Sequence, residues 1–417
     1  MQREKICRSA IRGLVIVRRS TNLVFSIGIG QRASQSMVML LIPLWILRMH
    51  GSPFAIGVDV AAVSVAPMFF AIPIGAAADR LGSRHVVLIG AVSAAAATML
   101  SISVSNVWLF GFWQMLAGLG RSAAWIGAQT SVTRERDLGN RRNQRIGLLS
   151  LSAQVGNFGG PFLAGVLISR ANITAAFVVA AASIGAVAFS VPVRGAPAAS
   201  VLRTGSSAAE EASAIASRHF GRAFRLLGLP TFRLIIVGSV VRLGLIAIRN
   251  SFYVVYLHHL GWSPLNIGIV LSLGSAASAG AAAMTGLLHR NFDTGQLLYV
   301  SLFGMALAFS AVPFFESFPA QLACMIVFGL GNGLSQTSLI SLLAKATPRQ
   351  DQGLAVGLRT SVNRAVQVSA PLLFGSLVTF VVLPTLLFAL GMASLASLIG
   401  AAWLMRGSAQ TSPDLNL

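Results

Sequence analysis

The stretch PIGAAADRLGSRHVVLIG, Pro73–Gly90, decides how the rest of the chain is read. Asp79, Arg80 and Arg84 stand close together at its centre, interleaved with Gly75 and Gly82, and long apolar runs flank them on both sides. A spanning helix needs about 20 mostly apolar residues. A short charged, Gly-containing turn between two such runs is the punctuation of a chain that crosses a membrane, turns and crosses again.

The composition extends that reading to the whole chain. Of 417 residues, 55% are hydrophobic and 10% charged, with a mean hydropathy of +0.76; soluble domains carry about 25% charged residues. No soluble core absorbs so much apolar surface. Spans are predicted near 22–49, 53–77, 85–105, 107–132, 146–169 and 172–192, and again near 232–258, 264–288, 295–315, 318–344, 353–380 and 382–405. The fold class expected is an all-α membrane protein of about twelve transmembrane helices in two pseudo-symmetric six-helix bundles, 22–192 and 232–405. A segment 1–21, a linker 193–231 and a tail 406–417 lie outside the bundles. Within the linker, SRHFGRAFRLLG fits a basic amphipathic surface helix or a plain solvated connection.

Lys and Arg number 31 against 11 Asp and Glu, for a net charge of +20. Arg80, Arg84, Arg134, Arg136, Arg141, Arg142, Arg145, Arg233, Arg290, Lys345, Arg349 and Arg406, with the N-terminal and linker arginines, fall on one side of the predicted topology; Arg48 and Arg170 fall on the other. The positive-inside bias places both termini and the linker in the cytoplasm of a bacterial inner (plasma) membrane. It also accounts for the charge without nucleic acid. Cys7 and Cys324 form no metal-ligand spacing or disulfide framework, and neither a metal nor a cofactor is expected. The partners expected are the lipid bilayer, a small molecule and protons, with the chain acting as a monomer. An HExxH, a Walker loop and a GxSxG are missing, which argues against a membrane enzyme and against ATP-driven transport. No extramembrane region is large enough for the output domain of a sensor.

The halves repeat. MHGSPFAIG (Met49–Gly57) returns as LGWSPLNIG (Leu260–Gly268), QMLAGLG (Gln114–Gly120) as MIVFGLG (Met325–Gly331), and GPFLAG (Gly160–Gly165) as APLLFG (Ala370–Gly375), each about 210 residues later. Repeats of this kind mark secondary transporters, with the substrate site near the midplane between them.

The opening stretch has the form G-x-x-x-D-R-x-G-x-R and, with the six-plus-six arrangement, resembles the signature loop of the major facilitator superfamily. The resemblance implies that Gly75, Asp79, Arg80, Gly82 and Arg84 act as a conformational latch, with Asp79 facing the start of the eleventh span near Gly353. The second-half counterpart GLLHRNFDTG is degenerate, with Arg290 in place of Asp79. In the fifth span, Gly147, Gly156, Gly160, Pro161 and Gly165 match a helix-packing pattern similar to that of the drug:proton antiporter branch, which implies export. Two departures stand against it: Gln114 takes the place of a family arginine, and the first span has no acidic residue. Asp59, early in the second span, is left as the acid available for proton coupling; a carboxylate near a helix N-terminus is also favourable by itself.

Six arginines fall within predicted spans: Arg32, Arg121, Arg242, Arg249, Arg359 and Arg364. Each costs about 2.5–3.5 kcal/mol at mid-membrane on insertion scales, so such residues face the bundle interior or water. Helical spacing lines up Arg242, Arg249, Tyr253 and Tyr256; Gln114, Gly118, Arg121 and Trp125; Arg32, Gln35 and Met39; Asn332 and Gln336; and Arg364 with Gln367. These faces predict a cavity that binds an anionic or acidic compound, because the guanidinium fork pairs with carboxylate and phosphate. Arg359 is expected instead to reach toward an interface. The functional expectation is a secondary transporter, a proton-coupled exporter of acidic compounds, with uptake or exchange of organic anions or phosphorylated metabolites as the alternative.

Overall fold

The computed structural model describes residues 2–133, 140–190, 230–347 and 352–410. The linker and its amphipathic stretch lie outside the described residues, as do Arg134, Arg136, Arg349 and 411–417. Among the described residues the chain is helical throughout: α1 Gln2–Arg48, α2 Pro53–Arg80, α3 Ser83–Ser101, α4 Val107–Thr133, α5 Asn140–Arg170, α6 Ile173–Ser190, α7 Pro230–Asn250, α8 Phe252–His259, α9 Pro264–Leu288, α10 Thr294–Ala311, α11 Phe318–Ala346, α12 Gln352–Leu377 and α13 Leu383–Gln410. Among these residues twelve spans are present, six in each half.

Two elements differ from expectation. The segment 1–21 is not separate from the first span, because α1 is continuous from Gln2. The seventh span is two helices, α7 and α8, broken at Ser251, whose backbone leaves the helical region at φ −117° and ψ −80°. Ser251 Oγ donates to the Ala247 carbonyl at 2.8 Å, which gives that carbonyl a partner beside the break.

Eight of the spans are long and apolar enough to cross a membrane: those of α2, α3, α5, α6, α9, α10, α11 and α13. All six intramembrane arginines lie in the other four, α1, α4, α7 and α12. Proline inside helices, at Pro43, Pro67, Pro73, Pro161 and Pro371, is tolerated in bilayers where neighbouring helices satisfy the freed backbone groups.

The chain divides into two compact units, Met1–Trp45 with Ala62–Ser200 and Ile46–Ala61 with Val201–Leu417. The turn after α1 and the start of α2 thus pack with the second unit, whereas the sequence boundary assigns them to the first bundle. In the first unit an alanine seam (Ala91, Ala94, Ala124, Ala128 and Ala188 with Ile27 and Ile184) joins α3, α4 and α6. Small residues let backbones approach where lipid offers no hydrophobic drive for association. A Cβ on Gly90 or Gly120 would come within 2.7 Å of the facing backbone. In the second unit Gly57 of α2 abuts Pro371 and Gly375 of α12, so two of the repeated sequence motifs meet each other.

Candidate functional site

The seventh span presents the face its spacing predicts, and that face runs along α11. Arg242 Nη2 donates to Gln336 Oε1 at 2.9 Å. The Arg249 guanidinium lies 5.6 Å from the centroid of the Phe328 ring, within cation–π range. Tyr253 donates to Gln321 Oε1 at 3.0 Å. As the seventh span advances from 242 to 253, its partners on α11 retreat from 336 to 321, an antiparallel ladder. Arg249 Nη2 also donates to the Leu271 carbonyl at 3.2 Å and to Ser275 Oγ at 3.3 Å, both on α9. Arg242 is 8% exposed and Arg249 7%. Tyr256 is buried. Asn332 Nδ2 donates to Ser278 Oγ at 2.9 Å, which ties α11 to α9.

Arg359 departs from expectation. It does not extend toward an interface: its Nε donates to Ser239 Oγ at 3.3 Å, one turn from Arg242 on α7. Arg364, further along α12, is half-buried.

The first unit holds a comparable polar set. Arg121 is wholly buried. Its Nη1 donates to Thr98 Oγ1 at 3.1 Å and its Nη2 to Gln114 Oε1 at 3.5 Å. Gln114 Nε2 donates to Ser101 Oγ at 3.0 Å, and Ser101 Oγ to the Thr98 carbonyl at 2.7 Å. The network stitches α4 to α3, so Arg121 and Gln114 sit inside the unit rather than on an open wall. From α1, Gln31 Nε2 donates to the Arg121 carbonyl at 3.4 Å, and the Arg32 guanidinium stacks 4.1 Å from the centroid of the Trp125 ring. Gln35 is half-buried. At the separation of the sequence repeat, Gln31 and Trp125 correspond to Arg242 and Gln336. The first and fourth spans therefore meet through the same or adjacent positions as the seventh and tenth.

Asp59 is wholly buried in the second unit, and neither carboxylate oxygen has a hydrogen-bond partner among the described residues. It stands beyond the first turn of α2, which contains no acid. The open N–H groups of a helix N-terminus therefore do not explain it.

In the signature loop, Gly82 precedes α3 with φ 87°, the left-handed conformation that favours glycine. A Cβ added at Gly75 would meet nothing within 4 Å, so only one of the two glycines is required by a turn. Arg80 and Arg84 are exposed at the helix ends; the Asp79 side chain, and with it the expected contact near Gly353, lies outside the described residues. In the degenerate counterpart, Asp293 caps α10, accepting from the N–H groups of Gly295 at 2.7 Å and Gln296 at 3.4 Å. Of the fifth-span pattern, Gly156 and Gly160 press against Ile29–Ser36 of α1, and a Cβ at Gly147 would meet nothing within 4 Å. Pro161 and Gly165 are buried. An apolar groove of about 500 Å³ lies between α2, α3 and α4, lined by Ile74, Leu81, Ile89, Leu100 and Trp113 among others; none of the predicted substrate residues lines it.

Sequence reasoning missed Gln321, Phe328 and Ser239. Gln321 and Phe328 are seven residues apart on α11, in step with Gln336, a spacing that marks one helix face.

The family model described as Major Facilitator Superfamily matches residues 24–371 and, a second time, 235–416. An MFS-type transporter, ppzB of Metarhizium rileyi, is 30% identical over 121 residues, 29% of this chain and 25% of that protein; its counterpart in Metarhizium majus is 31% identical over 121 residues, 29% of this chain and 26% of that protein. The chain thus spans about a quarter of the length of these curated relatives. A mutant of the nucleoside transporter NupG superposes with a TM-score of 0.79 at 12% identity, covering 92% of this chain and 98% of that one. A bacterial homologue of the human lysosomal transporter Spinster, inward-facing and unoccupied, gives 0.69 at 15% identity, covering 92% and 95%. A POT family transporter bound to a thioalcohol-conjugated peptide gives 0.70 at 12% identity, covering 93% and 96%. These likenesses establish the fold.

Proposed function

The chain belongs to the major facilitator superfamily, and from that premise we propose that it is a secondary transporter that exports small acidic molecules in exchange for protons. The mechanism is alternating access about the two repeats. One observation carries the acidic cargo. Arg121, Arg242, Arg249 and Arg359 donate their hydrogen bonds to neutral groups: hydroxyls, amides and a carbonyl. Among the described residues the printed bonds of these four arginines reach no carboxylate, and positive charge left in this way concentrates anions. Solved relatives named for nucleosides and peptides support a small-molecule cargo. The fifth-span glycine pattern supports export, and the buried, unbonded Asp59 supports proton exchange. The arginine bias of the loops supports cytoplasmic termini. The Arg80–Arg84 turn serves as the latch in this reading.

The same arginines support a second reading, uptake or exchange of organic anions or phosphorylated metabolites. Direction separates the two. Purified protein in proteoliposomes, given a pH gradient and a panel of labelled organic acids beside a cationic dye, tests both. Gradient-driven movement of acids against the proton flow, with the dye left in place, is the expected result. Movement of the dye alone would overturn the acidic cargo. Acid exchange indifferent to the gradient would favour the carrier reading.

A further inference from the structure

We infer that Arg242 and Arg359 form a single two-guanidinium seat for a doubly charged oxyanion, a phosphate monoester or a dicarboxylate, on the transported molecule. This inference rests on the acidic-cargo reading and narrows it. Ser239 and Arg242 are one turn apart on α7. Arg359 crosses from α12 and donates through Nε to Ser239 Oγ at 3.3 Å, which brings its charge within electrostatic range of Arg242. Arg242 is fixed from the other side by Gln336 Oε1 at 2.9 Å. Each guanidinium carries five N–H donors, and these bonds engage one donor on each. Arg242 Nε is buried with no partner among the described residues. Arg242 is 8% exposed, while Arg359 is half-buried.

Two like charges within electrostatic range of each other in a spanning region repel, and the interaction grows as the surroundings lose water. None of the acids described in this unit bonds to either arginine: Asp59 has no hydrogen-bond partner, Asp293 caps α10, and Glu316 is exposed in the loop before α11. A monoanion would offset one of the two cations. A dianion offsets both, and its oxygens suit two planar forks. Ser239 and Gln336 hold those forks in place without spending charge, which is the division of labour expected of a prearranged binding site.

The test uses the full chain purified in detergent. Its melting temperature is followed at constant ionic strength with sulfate, inorganic phosphate at pH 8, succinate or acetate. The dianions should raise it and acetate should not; phosphate against succinate tells phosphate from dicarboxylate preference. Arg242→Gln and Arg359→Gln should each melt higher than wild type without anion, because the repulsion is gone, and should weaken dianion affinity at least tenfold. Arg359→Lys keeps the charge and loses the fork, and should also bind tenfold more weakly. Arg290→Gln, remote from the seat in sequence, should bind as wild type. A lower anion-free melting temperature with unchanged dianion affinity would make Arg359 merely structural and overturn the seat. So would equal stabilisation by acetate and sulfate. Loss of anion binding in Arg242→Gln alone would remove Arg359 from the seat while leaving acidic cargo standing. If none of the four anions stabilises wild type, the seat falls, and the vesicle assay decides separately whether acids are carried.

Discussion

His50 and Gly261 hold the same left-handed backbone, φ 55° and φ 77°, at matching places in the two copies of the repeat. The turns around them are built alike. His50 N–H donates to Leu47 O at 3.0 Å and Gly51 N–H to Ile46 O at 2.9 Å; Gly261 N–H donates to His258 O at 3.0 Å and Trp262 N–H to Leu257 O at 3.1 Å. Ser52 and Ser263 then cap the following helices through the N–H groups of Ala55, at 3.2 Å, and Asn266, at 3.3 Å. A side chain in this backbone region costs about 1–2 kcal/mol, while glycine costs entropy in the unfolded chain. Gly261→Val should therefore destabilise by about 1–2 kcal/mol, and His50→Gly, where the two effects oppose, should stay within about 0.5 kcal/mol of wild type. Thermal unfolding in detergent measures both. Equal losses at the two positions would mean that the shared turn does not govern either.

The fifth-span glycines divide by what they touch. Gly156 faces the Ile29 carbonyl and Ala33 N–H of α1 at 2.7 and 2.8 Å from a would-be Cβ, while Gly147 faces open space. Overpacking a close helix contact costs about 1–3 kcal/mol. Gly156→Val should lower the melting temperature accordingly, and Gly147→Val should leave it unchanged. A stability scan of the two variants decides. A loss at Gly147 as large as at Gly156 would show that the pattern acts through something other than the α1 contact.

Arg121, wholly buried, bonds Thr98 of α3 and Gln114 of its own helix. Removing it leaves Thr98 and Gln114 without their donor inside a spanning region, where an orphaned buried group costs about 1–3 kcal/mol. Arg121→Ala should therefore reduce the yield of folded protein and lower its melting temperature. Arg121→Lys should restore little, because one ammonium does not reproduce a fork that reaches two helices. Size-exclusion profiles and melting curves report this without any transport assay. Full stability in Arg121→Ala, with transport lost, would move Arg121 from scaffold to binding wall.

What was legible in the chain follows from what leaves a local trace. Spans show as apolar runs, and the repeat shows because the two copies need the same turn, as His50 and Gly261 demonstrate. The seventh-span face was readable because Arg242, Arg249 and Tyr253 keep helical spacing. The break at Ser251 was not, since no glycine or proline marks it. Arg359 was misplaced because its partner, Ser239, lies on another helix far away in sequence. The burial of Arg121 was hidden for a similar reason. Thr98 and Ser101 come from α3, a helix whose middle carries no charge to mark a polar contact. Long-range hydrogen bonds carry no periodicity of their own, so only coordinates join them.

Asp59 bears the proton-coupling part of the proposal. Its carboxyl is wholly buried, and among the described residues neither oxygen is bonded and no cation is paired with it in its unit. A permanently ionised carboxylate in that position would be very costly, so a role in the cycle requires it to take up a proton when buried and release one when reached by water. Asp59→Asn mimics the neutral form. It should fold as well as wild type and keep exchange of labelled substrate across vesicles without a gradient. It should lose accumulation driven by a pH difference, with the ratio of driven to undriven transport falling at least tenfold. The paired measurement matters, because a structural acid would impair both activities together. If Asp59→Asn still concentrates substrate against an imposed pH gradient, the proton travels by another route and Asp59 belongs to the packing of α2 alone.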